Sequence, residues 1–197
     1  MTKTYRFLIE KKVKTRLYLI KATILFILMF SIQNNTNAQL RVSAGGFVGG
    51  GFIKGDSPNI GSFSASFFIE TNTALFVEVT PRLSFIFARD FNSIIPNVRK
   101  PYFPFVQGLT FKGITAQYFE DHIFLEEGFG LLALNDRTFS DTNSWSYGIV
   151  ISINGGFDLR GFELSGFKIG AGIEYGITFN NTLAQYSSLH FYFNYTL

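Results

Sequence analysis

The chain has no cysteine, which excludes a disulfide framework and any thiolate-held metal. Histidine is nearly missing: His122 and His190 are the only two, distant in sequence and too few for a metal centre. No cofactor is expected. Past residue 38 no apolar run approaches the roughly 20 residues that a membrane-spanning helix needs. Glycines cluster at Gly45-Gly46 and Gly49-Gly50-Gly51, but no Lys-Ser or Lys-Thr follows them. A phosphate-cradling loop is therefore excluded, and the cluster reads as small residues in a tightly curved strand.

A basic excess is absent too, once the N-terminus is set apart. Residues 1–38 start with Lys3, Arg6, Lys11, Lys12, Lys14 and Arg16, pass through the apolar run ATILFILMFSI and end on Thr36-Asn37-Ala38. A basic start, a short apolar stretch and small residues at −3 and −1 of a cleavage point describe a secretory signal peptide. The apolar stretch is too short for a membrane anchor, and Lys21 interrupts it on its N-terminal side. Cleavage after Ala38 makes Gln39 the first mature residue. Of the chain's 17 basic and 14 acidic residues, this segment takes seven and one, which leaves residues 39–197 with a net charge of −3. The clustered basic face that nucleic-acid binding needs is not expected.

Aromatic residues are what the chain has in abundance. Its 25 Phe lie nearly all beyond residue 46, together with 19 Gly in the whole chain. They follow period two, the mark of a strand with two different faces. At the C-terminal end Leu189, Phe191, Phe193, Tyr195 and Leu197 alternate with Ser188, His190, Tyr192, Asn194 and Thr196. Phe167, Ile169, Ala171, Ile173, Tyr175 and Ile177 alternate with Lys168, Gly170, Gly172, Glu174 and Gly176. Trp145, Tyr147, Ile149, Ile151 and Ile153 repeat the theme. So do Phe63, Ala65, Phe67 and Ile69, and then Leu75, Val77, Val79, Leu83, Phe85 and Phe87. Pro81 in that last run suggests a bend or bulge. A parity change near Gly113 suggests another. The adjacent Glu126 and Glu127 leave one carboxylate on the wrong face unless a bulge re-aims it.

With the glycine-rich stretch from about residue 40 and two strands of less regular alternation, 103–119 and 122–134, these runs make eight strands of about 11–17 residues, well above the usual 5–6. Roughly 9–11 residues cross a bilayer obliquely. Long polar connections (54–59, 89–102, 136–144, 180–186) alternate with short ones at Asn72-Thr73, at Glu120-Asp121 and near Leu159. Short periplasmic turns, longer external loops and an even strand number belong to outer-membrane barrels. The expectation for residues 39–197 is an all-β, eight-stranded antiparallel up-and-down transmembrane β-barrel. A soluble lipocalin-like barrel shares the alternation but turns its apolar face inward. The crowding of Phe and Tyr on one face, and of Gly and Ser on the other, favours lipid outside and a narrow polar lumen inside.

The signal peptide, the alternating strands and the terminal strand SSLHFYFNYTL resemble the small outer-membrane β-barrel proteins of Gram-negative bacteria, the group of the OmpA-type transmembrane domain and the PorT-like barrels. The resemblance implies a cell outer-membrane location; the expectation is a monomer in contact with outer-membrane lipid, and Arg89, Arg99 and Lys100, set against Asp90 in the 89–102 connection, read either as a contact for an anion or lipopolysaccharide or as a solvated loop. The resemblance also implies insertion by the barrel-assembly machinery, which reads a terminal strand usually closing on Phe; here Leu197 is last, after Phe193 and Tyr195.

The ionisable residues expected inside are Arg41, Glu70, Glu78, Arg82, Lys112, Asp158, Lys168, Glu174 and His190. Charges in a narrow lumen must pair or stay hydrated. The expected arrangement is a polar and charged network that fills the interior of a structural or surface-interaction barrel, with no enzymatic activity. A porin-like narrow pore for ions or small solutes is the alternative. A third reading makes Ser188 a nucleophile and His190 its base, oriented by Glu174. The outer-membrane lipid A deacylases use such a pair, but their His-x-Ser-Asn signature is absent here.

Overall fold

The structure, a computed structural model, describes residues 41–71, 79–95, 98, 100–120, 122–160 and 165–197. The expected signal peptide, the turn at Asn72-Thr73 and Glu78 lie outside them. Eight strands follow in chain order: β1 (Val42–Lys54), β2 (Ile60–Thr71), β3 (Val79–Asp90), β4 (Phe105–Phe119), β5 (Ile123–Arg137), β6 (Ser144–Asp158), β7 (Gly166–Thr178) and β8 (Gln185–Thr196). Each pairs antiparallel with the next, and β1 closes the barrel on β8.

The alternation decides which face is which. On β8, Leu189 and Phe191 are 68% and 76% exposed, whereas Ser188 and His190 are 2% and 3% exposed. The same division runs round the wall: Phe67, Leu83, Phe111, Phe129, Ile151 and Ile173 point outward. Apolar rings turned away from the interior exclude the lipocalin arrangement and leave a lipid-facing surface. Trp145 and Tyr147 mark one end of this surface, and Phe157, Phe167 and Tyr195 the other. The glycine-rich β1 sits at the closing seam. A Cβ at Gly49 or Gly51 would collide with the β8 backbone at Leu189 or Ser187, so the seam closes because these positions lack side chains.

No bulge occurs where the sequence suggests one. The ladder runs on through Pro81↔Gly113↔Phe129 and through Ala116↔Glu126↔Asn154 without an inserted residue. The apparent parity change after Gly113 arises because apolar Ile114 faces inward, where it is 3% exposed. Pro81 lies just beyond the last β2–β3 pair, Glu70↔Arg82, so its missing N–H interrupts no described pair on that side. Glu126 points in and Glu127 points out. Loop length is a weaker guide than expected: connection 159–165, at the end where β1 starts and β8 stops, is no shorter than 179–184 opposite.

Glu127 thus stands on the apolar wall between Thr115 and Ile153, about 13 Å along the strand from the β4–β5 turn. A lipid-facing carboxylate is destabilising to a degree that depends on depth. Replacing Glu127 with Leu is expected to raise the stability of the vesicle-inserted barrel by about 1 kcal/mol, measured by reversible urea unfolding. An unchanged or lowered stability would show that the carboxylate has a partner.

Candidate functional site: the barrel interior

Arg82 on β3 is 1% exposed and sits among carboxylates from both sides. Its Nε donates to Glu70 Oε2 at 2.8 Å, and its Nη2 donates to Glu126 Oε2 at 2.7 Å and to the Tyr192 hydroxyl at 3.2 Å. The guanidinium lies over the Phe68 ring at 4.3 Å. The remaining oxygens of the two carboxylates are taken up as well. Asn194 Nδ2 donates to Glu70 Oε1 at 2.5 Å, and Lys168 Nζ donates to Glu126 Oε1 at 3.1 Å. Glu70, Arg82 and Lys112 are successive ladder partners across β2, β3 and β4, which fixes their common level.

Two further ion pairs complete this half of the interior. Lys112 donates to Glu174 from across the lumen, and the Tyr186 hydroxyl donates to the other Glu174 oxygen at 2.7 Å. Asp158, at the end of β6, holds Arg160 in the following connection. That hydrogen bond is the first reason the Arg160 guanidinium has a pKa raised above its usual range. Arg160 also reaches the Thr196 hydroxyl at 3.3 Å, and Thr196 meets Ser43 across the seam at 3.0 Å. Four acids and four bases therefore balance: Glu70, Glu126, Asp158 and Glu174 against Arg82, Lys112, Arg160 and Lys168.

The other half of the interior holds an apolar cluster beside buried Ser62, Ser146 and Thr178, which corrects the expectation of a wholly polar filling. Phe47, Ile86, Val106, Leu132, Leu134 and Val150 form one buried cluster with Ile53, Ala88, Ala184 and Tyr186. Ile86 falls late in β3, Val106 early in β4 and Leu134 late in β5, so the cluster lies toward connections 91–104 and 138–143. These residues share strands with equally apolar outward neighbours, as in Leu131-Leu132, so alternation hides them. Beyond the cluster, Asp136 accepts from Thr138 N at 2.9 Å and Asp56 N at 3.3 Å. A Cβ at Gly55 would run into that Asp136 carboxylate, so glycine lets the loop lie against it.

Ser188 and His190 are inside but not as the catalytic reading requires. Ser188 Oγ lies 3.2 Å from His190 Nδ1 and 2.6 Å from Ser64 Oγ. His190 Nε2 faces Asn154 Oδ1 at 3.0 Å, and Phe47 stacks on the ring at 3.8 Å. Glu174, the expected orienter, has its hydrogen bonds with Lys112 and Tyr186 instead. Among the described residues, no three His, Asp or Glu side chains converge as metal ligands.

The all-antiparallel closed barrel finds counterparts in fold among solved structures. Neisserial surface protein A (NspA) aligns over 79% of this chain and 95% of its own, at 9% identity and a TM-score of 0.59. The fold is that of the small outer-membrane β-barrels. Two further barrels of this kind align at lower scores. Ail, the attachment invasion locus protein of Yersinia pestis, shares 11% identity over 80% of this chain and 97% of its own, at a TM-score of 0.45. The N-terminal β-barrel domain of Pseudomonas aeruginosa OprF shares 12% over 81% of this chain and 100% of its own, at 0.42. No family model matches the chain, and no curated protein matches its sequence.

Of the residues expected in the lumen, the barrel brings Glu70, Arg82 and Lys168 into one network and places Lys112 and Glu174 beside it. Asp158 pairs nearer the end of the barrel, and His190 makes only neutral contacts. Arg41, ahead of β1, has no ion pair among the described residues. Sequence reasoning left Glu126 undecided and missed Arg160; it placed Tyr192 and Asn194 on the polar face of the last strand without assigning them to the network. The signal for Glu126 was the row Gly128, Gly130 on its own face, small residues like those facing inward on β7.

Removing Arg82 leaves Glu70 and Glu126 short of their main cation. Breaking a buried pair in this way typically costs about 3–5 kcal/mol. Arg82→Ala is therefore expected to lower barrel stability by that amount in urea unfolding from vesicles. Arg160→Ala, at the more exposed pair, is expected to lower it by about 1 kcal/mol or less. Equal losses would refute the hub role of Arg82.

Proposed function

We propose that the mature chain resides in the outer membrane of a Gram-negative bacterium as a non-conducting barrel that presents its external loops for interaction. The observation that carries this reading is the doubly closed interior. One half is filled by the apolar cluster and the other by the neutral ion-pair network. Water and ions need a continuous polar path, and an eight-stranded barrel is just wide enough for its side chains to fill.

The loops support the surface role. Phe91, Ile94, Ile95, Phe139 and Leu183 are exposed beyond the strand ends. Exposed apolar side chains on the loops are available for contact with a partner. We read the chain as a monomer in contact with outer-membrane lipid and lipopolysaccharide, inserted by the barrel-assembly machinery, with no nucleic-acid partner. No catalytic role is assigned to Ser188 and His190, because both are buried and hydrogen-bonded within the wall-to-wall packing.

Planar-bilayer recording tests the closed interior. The refolded barrel is expected to insert without producing discrete conductance steps. Reproducible unitary steps from the purified protein would favour the narrow-pore alternative.

A further inference from the structure

The outer wall carries two arginines at the rim nearest the external loops. Arg89 is the penultimate residue of β3, Phe105 opens β4 and Arg137 closes β5. Arg89↔Phe105 and Phe105↔Arg137 are ladder partners, so the three form one row on the outward face. Two strand spacings put the arginine backbones about 10 Å apart. Arg89 lies over the Phe103 ring at 5.4 Å and Arg137 over the Phe105 ring at 5.7 Å. The Tyr102 hydroxyl donates to the Arg137 carbonyl at 2.6 Å and ties this aromatic segment to the rim.

Neither guanidinium has a carboxylate partner among the described residues. Arg82, Lys112, Arg160 and Lys168 are paired inside, and Lys100 is paired with Asp90, whereas Arg89 and Arg137 have no acidic partner among the described residues. Arg137 Nε is buried without any hydrogen-bond partner. In a mature chain of net charge −3, two unneutralised arginines in one row are not the by-product of a basic surface. Below them the wall continues as Phe85, Leu109 and Leu131, all exposed.

We propose that Arg89 and Arg137 clamp a phosphate group on the headgroup of an outer-leaflet glycolipid, whose acyl chains lie on the apolar wall beneath. Guanidinium forks bind phosphate through two parallel N–H bonds, which a lysine does not reproduce. The aromatic rings beneath the two guanidinium groups favour the cation at the rim without supplying a carboxylate. The clamp rests on the reading of the barrel as membrane-embedded with connection 91–104 outside.

Trp145 supplies the reporter: it is the only tryptophan of the chain and pairs with Asn135, two residues from Arg137. The full mature barrel, folded in detergent, is titrated with diphosphorylated lipid A, with the same glycolipid after phosphate removal, and with inorganic phosphate. A saturable change in Trp145 emission is expected with the phosphorylated lipid alone. The Arg89→Gln/Arg137→Gln double variant is expected to weaken it about tenfold or more, and the double lysine variant less. Equal binding by the glutamine variant, or by the dephosphorylated lipid, would overturn the clamp. Saturation by inorganic phosphate at the same concentration would make it a free-anion site instead and overturn the lipid assignment. Protease protection of the unsubstituted barrel in phosphatidylcholine vesicles is read separately. An unsubstituted barrel that inserts but does not bind the lipid refutes the clamp, and one that does not insert refutes the membrane reading.

Discussion

A guanidinium removed from water loses several kcal/mol of hydration unless carboxylates and hydrogen-bond acceptors replace it. Arg82 meets that constraint at the centre of this barrel, and the surrounding interior is arranged by it. Two glutamates from strands on either side answer its charge, a tyrosine and an asparagine fill the spare positions, and Lys168 balances the second glutamate. The partners come from four strands: β2, β5, β7 and β8 all contribute to the network around one β3 side chain. The network ties opposite walls together, which ladder hydrogen bonds between neighbours cannot do.

The apolar cluster works by the opposite physics and closes the other half. Phe47, Ile86, Leu132 and Val150 need no partners, only volume, and they exclude the water that would otherwise screen the charges below. Glycines on the inward face of β1 and β7 make the room: large side chains from one wall occupy the space that Gly45 and Gly176 leave on another. Packing, not pairing, sets the bore. On the proposed reading, in which the lumen is sealed, function moves to the two surfaces that remain, the loops and the lipid-facing wall.

Much of this was legible in the residues. Eight strands, their faces and the outward aromatics follow from period two, because a strand with lipid on one side and a packed lumen on the other must alternate. Glu70, Arg82, Lys168 and Glu174 were identifiable as inward because each interrupts a small or polar row. The apolar cluster was not, since Leu132 and Val150 stand among residues that are apolar on both faces. Nor was Arg160, which enters from a connection and not from a strand. The bulges suggested at Gly113 and Glu126 came from assuming that every inward residue is polar; Ile114 and the outward Glu127 break that assumption and leave the ladder intact.

The absence of cysteine makes the central claim directly measurable. Single cysteines placed at Ser64, Ser152 and Ser188 on the inward face, and at Phe67, Ile151 and Leu189 on the outward face, report on both sides of the wall in vesicles. The account predicts that outward positions react with lipid-soluble maleimides but not water-soluble ones, and that inward positions react with neither. Reaction of the inward cysteines with the water-soluble reagent would show an open lumen and contradict it.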